Sequence, residues 1–136
     1  WFPKEDVQRA FRNLQRVGIT DQAYKRADEL SGGQRQRVGI ARAMMQEPKV
    51  LLADEPVASL DPALSHSIFR YIEEFNKEEG ITVLCCLHIL SLARRYGTRV
   101  IALKAGRLVF DGPPDEIDDA RFRDIYGEEA ERVEIR

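Results

Sequence analysis

The chain has 136 residues and a mass of 15.6 kDa, with 43% hydrophobic and 32% charged residues, proportions that suit one globular domain able to bury a core. Its 21 Lys and Arg against 23 Asp and Glu leave a net charge of -2, which excludes the strong basic footprint of a nucleic-acid or anionic-membrane binder. The longest apolar runs, Val50 to Ala53 and Ile81 to Leu87, are too short to span a bilayer, and the first residues do not read as a signal peptide.

Val7, Phe11, Leu14 and Val17 recur at helical spacing, which predicts an amphipathic helix ended by Gly18. Asp21 is placed to cap a second short helix running toward Leu30. Ser31 is placed to cap a third, with Val38, Ala41 and Met45 as its apolar stripe and Pro48 as its stop. The pattern then changes. Val50 to Ala53 is wholly apolar, as expected of a strand buried on both faces. Pro62 starts a helix with Leu64, Ile68, Ile72 and Phe75 on one face, closing near Gly80. Ile81 to Leu87 reads as a second buried strand, followed by a helix through Ala93. Strands at 99–103 and 107–110 flank the turn at 104–106, and the DGPP of 111–114 ends the last of them. A helical tail of mixed charge follows, its end at 128–136 read as solvated. This order predicts an α/β protein, a small helical lobe on part of a parallel sheet.

Cys85 and Cys86 are neighbours in an apolar run, so their side chains point to opposite faces of a strand. They read as two buried thiols rather than a disulfide or a metal pair.

Three groups of residues carry chemistry. Asp54 and Glu55 follow an apolar strand at its carboxyl end, where open α/β sheets bind ligands. One carboxylate there can hold hydrated Mg²⁺ while the next polarises a water. A solvated acidic loop is the plain alternative. His88 closes the next strand at the same end of the sheet, where a purely structural histidine is the competing reading. Ser31, Gly32, Gly33 and Gln34 open a helix, with amides, a hydroxyl and the positive end of a helix dipole available to an anion. A simple inter-helix turn would use the same residues. Arg35, Arg37 and Arg42 read as solvated or ion-paired surface. The phosphate-cradling pattern G-x-x-x-x-G-K-[ST] is absent from the sequence.

Taken in order, LSGGQRQRVGIARAM from Leu30, VLLADEP from Val50, SLD at 59–61 and His88 resemble the ATP-binding cassette (ABC) ATPases. The resemblance implies a partial P-loop NTPase fold, with residues 1–47 as the helical subdomain ending in the signature motif and its helix. Residues 48–136 would form the C-terminal part of the ATPase core. By the same resemblance Ser31, Gly32, Gly33 and Gln34 belong to the signature motif, and Ser59 and Asp61 to the D-loop. All six would be nucleotide-binding. Asp54 would be the Mg²⁺-associated acid of Walker B, Glu55 the catalytic base, and His88 the switch histidine. LLADEPVASLDP, FDGPP at 110–114 and IYG at 125–127 look most like ATP-binding subunits of bacterial phosphonate importers. Ile89 departs from the family, which usually has a polar residue after the histidine.

The family binds ATP and Mg²⁺ between two subunits arranged head to tail, the phosphate cradle of one facing the signature motif of the other. The implied partners are a second ATPase subunit, transmembrane permease subunits and, indirectly, a periplasmic substrate-binding protein, with no nucleic acid. The implied location is the cytoplasmic face of the bacterial inner membrane. The Walker A strand, the adenine-stacking aromatic and the glutamine loop would all precede Trp1, so the chain is expected to be a soluble C-terminal fragment, inactive alone. Loss of the Walker A strand would leave unpaired strand edges beside the His88 strand and the strand at 99–103. Two other readings are a fragment of a non-transport ABC ATPase and a non-enzymatic module that binds a partner.

Overall fold

The structure is a computed structural model that describes residues 1–127, and the expected solvated tail of 128–136 lies outside the described residues. The chain divides into two compact units, Trp1–Cys86 and Leu87 onward.

In the first unit, α1 (Lys4–Arg16) ends at Gly18, whose φ of 64° turns the chain. The segment expected to form a second helix instead makes two single 3₁₀ turns, Thr20–Gln22 and Ala27–Glu29. Asp21 does not cap there, because it lies inside the first of these turns. The Glu29 carboxylate folds back onto the Arg26 amide at 3.0 Å, closing the second turn locally. Helix α2 (Gly32–Met44) buries Gly33, Ile40, Ala41 and Met44, while Val38 and Met45 of the expected stripe are only half-buried. Helix α3 (Pro62–Glu79) has Pro62 in its first turn and ends at Gly80, whose φ of 66° is the left-handed conformation of a helix stop. It buries Ile68, Phe69, Ile72 and Phe75. Arg16 joins the ends of α1 and α3, lying over the Phe75 ring at 3.7 Å and pairing with Glu78 and Glu79.

Strands β1 (Val50–Asp54) and β2 (Thr82–Cys86) pair in parallel, with Val50 opposite Thr82 and Asp54 opposite Cys86. The expectation that both are buried on two faces does not hold. Alternate side chains are open, with Val50 at 54%, Leu52 at 72% and Leu84 at 59% exposure, because α3 covers one face only. The same alternation corrects the reading of two buried thiols. Cys85 is half-buried, whereas Cys86 is exposed.

In the second unit, α4 (Leu90–Tyr96) runs three residues past the expected end. Strands β3 (Val100–Lys104) and β4 (Arg107–Gly112) form an antiparallel hairpin, a sheet separate from β1–β2. Strand β4 extends through Asp111 and Gly112 because both pair with β3. The Asp111 carboxylate also takes a fork of bonds from Arg99, at 2.7 and 2.8 Å. A 3₁₀ turn at Pro114–Glu116 leads to α5 (Asp119–Tyr126), which Asp118 caps. Leu90, Ala102, Phe110, Ile117 and Phe122 form this unit's core.

Candidate functional site

The turn from Ser31 to Gln34 is built by its own side chains. Ser31 Oγ accepts from the Gln34 amide at 3.3 Å, and Gln34 Oε1 accepts from the Ser31 amide at 2.9 Å, a reciprocal capping box. Gly32 and Gly33 are the first two helical residues, whose amides have no intrahelical partner by the geometry of a helix start. The glycines also have a packing role. A Cβ on Gly33 would come within 3.2 Å of Leu64 Cδ1, and one on Gly32 within 3.8 Å of Leu60 Cδ2. The turn at Ser31–Gln34 therefore sits close against the segment that follows β1.

That segment is irregular and held by short backbone bonds. The Glu55 amide donates to the Cys86 carbonyl, Ala58 to Glu55 and Leu60 to Val57, each at 3.1 Å. Glu55 has φ 42° and Ser59 φ 65°, both in the left-handed region that costs a non-glycine residue about 1 kcal/mol or more. Asp61 Oδ1 accepts from the Leu64 amide at 2.9 Å, capping α3. The structure thus gives Asp61 a structural task that the sequence reading as a nucleotide contact did not include.

Gly32, Arg35 and Gln36 from α2 line a shallow cavity of about 340 Å³ with Ala58, Ser59 and Leu60. The first unit thereby brings Gly32 and Ser59 to one wall. Asp54, the last residue of β1, and Glu55 are exposed at the strand's carboxyl end. His88 lies in the second unit, exposed, two residues beyond β2, and its carbonyl accepts from the Tyr126 hydroxyl at 3.3 Å. Ile89 is the N-cap of α4 and supplies no side-chain bond there. Beside the acids, burial first, then the neighbouring Cys86 and Asp54, pushes the Cys85 thiol up from 9.0 to about 11.

Two residues have roles that the sequence reading missed. Arg35, read as solvated surface, lines the cavity and donates to the Leu30 carbonyl at 2.6 Å. Gln34 spends its side-chain oxygen on the Ser31 amide. The S-x-x-Q spacing of a capping box was the sequence signal for the latter. Among the described residues no cluster of three or more His, Cys, Asp or Glu could hold a metal. No described helix is long and apolar enough to cross a membrane.

The sequence pattern of the ABC transporter family matches residues 3–58. The chain is 52% identical over 126 residues to phosphonates import ATP-binding protein PhnC 3 of Halalkalibacterium halodurans, covering 93% of the chain and 49% of that protein. It is 56% identical over 135 residues to PhnC of Bdellovibrio bacteriovorus, covering 98% and 52%. Among solved structures, the ADP conformation of an ATP-binding cassette of an ABC transporter superposes with a TM-score of 0.80 at 35% identity. That match covers 90% of this chain and 49% of the other. A Clostridium perfringens protein, part of the ABC transporter complex cbiONQ, gives the same values. The chain spans about half the length of the curated relatives it matches. Residues 3–58 thus match the ABC transporter family, and the motif order and the parallel β1–β2 pair accompany a likeness to ABC transporter ATPases along nine-tenths of the chain or more.

Proposed function

We propose that the chain supplies the signature, Walker B, D-loop and switch elements of an ATPase that drives phosphonate import. The observation that carries this reading is the single wall shared by Gly32 of the signature turn and Ser59 of the D-loop. The import-protein names of the relatives favour transport over other uses of a cassette.

The donor set at the signature turn fits a phosphate chain. Ser31 retains its hydroxyl proton as a donor, and the Gly32 and Gly33 amides sit at the positive end of the α2 dipole. Asp54, a single exposed carboxylate, fits Mg²⁺ only as an ion whose other ligands are water and phosphate oxygens, the usual way that ion is held. When bound, Mg²⁺ would neutralise charge developing on the transferred phosphoryl group. Glu55 is positioned by its backbone bond to Cys86 and would take a proton from the attacking water. His88 would donate to the terminal phosphate. A second, head-to-tail ATPase subunit would bring a phosphate cradle opposite the signature turn, and permease subunits would take up the work. A periplasmic substrate-binding protein would deliver phosphonate to that permease.

The test is a chimaera in which this chain replaces the matching half of the H. halodurans relative, placed in a bacterium lacking its own phosphonate-import ATPase. Growth on a phosphonate as phosphorus source is expected, and its loss on Glu55→Gln. Chimaera-bearing cells that grow on phosphate but never on phosphonates would contradict import of this substrate class.

A further inference from the structure

Residues 87–89 lead into α4 with His88 exposed, and Ile89, the N-cap, makes no side-chain cap bond. An apolar cap cannot accept from the first amides of its helix, so the start of α4 lacks the local lock that a polar residue would give. From Leu90 onward the chain is anchored. Leu90 and Leu92 are buried, and the Arg94 guanidinium donates to the Ile117 carbonyl. Helix α5 is anchored as well. Phe122 belongs to the unit's core, Ile125 packs against that core, and Lys104 Nζ donates to the Asp124 carbonyl at 2.5 Å. Tyr126 stacks on Phe122, one helical turn away, with ring centroids 4.7 Å apart. From there its hydroxyl donates to the His88 carbonyl at 3.3 Å, a contact between residues 38 apart in sequence.

We propose that Tyr126 is a positioning residue that holds the His88 loop, supplying by a tertiary bond the restraint that Ile89 does not supply locally. The inference rests on the proposed reading of His88 as the donor to the terminal phosphate. The accepting oxygen is two bonds from the Cα that carries the imidazole, so the tie limits how far that Cα can travel. Tyr126 acts through the backbone of His88 and is not itself catalytic. The IYG stretch at 125–127, which the proposed ATPase role leaves without a task, thereby gains one. Its isoleucine packs on the core, its tyrosine holds the loop, and Gly127, at φ 98°, ends α5. At 3.3 Å the bond is longer than the usual hydroxyl-to-oxygen distance of about 2.7–2.8 Å, so its effect is modest.

The experiment has two arms. On the chain itself, NMR relaxation of the His88 amide is compared between wild type and Tyr126→Phe, which keeps the ring stack and removes the donor. An order parameter near the rigid value of about 0.85 should fall in the variant, while that of Ala102 in β3 stays unchanged. A value equal in the two proteins, or already low in the wild type, overturns the tie. The other arm is a double-mutant cycle on Mg-ATP turnover by a chimaera of this chain with the first half of the H. halodurans relative. Tyr126→Phe should lower kcat about threefold with KM unchanged, the size of one weak bond, and should lower it no further when His88→Ala is also present. An equal loss with and without the imidazole makes Tyr126 a general structural residue and overturns the proposal while the reading of His88 stands. A His88→Ala variant as active as its parent overturns that reading and, with it, the consequence drawn for Tyr126.

Discussion

Cys86 stands opposite Asp54 in the parallel ladder of β1 and β2, and its carbonyl accepts the Glu55 amide at 3.1 Å. The ladder thus continues one residue beyond the strand and holds Glu55 at φ 42°, a conformation that glutamate adopts only under restraint. The two acids are placed by backbone bonding rather than by side-chain packing, which leaves both carboxylates exposed.

The two cysteines should differ sharply in reactivity. Cys86 is exposed, while Cys85 is half-buried with its thiol pushed up to about 11. The thiolate is the nucleophile, so Cys85 stays protonated and slow at pH 8 and gains reactivity only as pH approaches 11. Mass spectrometry of the iodoacetamide-treated folded chain at pH 8 should find Cys86 labelled first. Equal rates at the two positions would contradict this environment.

Asp61 should matter to stability as well as to any nucleotide. It caps α3, so Asp61→Ala is expected to cost about 1 kcal/mol in urea unfolding, and Asp61→Asn much less. A destabilisation shared equally by the two variants would show that the carboxylate charge, not the cap, is what counts.

Gly33 is required by packing against α3. Gly33→Val would drive a branched side chain into Leu64 and should cost about 1–3 kcal/mol, measured by the same unfolding. Adding Leu64→Ala should restore part of the loss. No cost in the single variant would mean the turn is looser than the 3.2 Å approach indicates.

The β3–β4 hairpin turns through Ala105 at φ 50° and Gly106 at φ 74°, the sign pattern of a turn that favours Asn-Gly. Ala105→Asn should raise hairpin stability by about 0.5–1 kcal/mol through relief of left-handed strain. Hydrogen exchange at the Ala102 amide in β3 reads it directly, and slower exchange is the expected sign.

Much of the site was legible in the sequence because its motifs are contiguous. Ser31 and Pro62 mark helix starts by residue chemistry alone, and β1 ends at Asp54, the first acid after its apolar run. The exposure of Leu52 and Leu84 was not legible, because a wholly apolar run does not reveal which face finds a partner. The 3₁₀ turns at Thr20–Gln22 and Ala27–Glu29 were missed because local side-chain-to-backbone bonding, as from Glu29 to Arg26, competes with helix in a stretch lacking an apolar stripe. The task of Arg35 was hidden for a different reason. A surface arginine and one that ties a carbonyl five residues back look alike in sequence.

The most direct measurement is Mg-ATP hydrolysis by the chimaera of this chain with the first half of the H. halodurans relative, with and without Glu55→Gln. The account predicts turnover that falls by about a hundredfold or more in the variant, the scale of a lost general base. Turnover unchanged by Glu55→Gln would contradict the role given to Glu55 and, with it, the reading of this chain as the catalytic half of a transport ATPase.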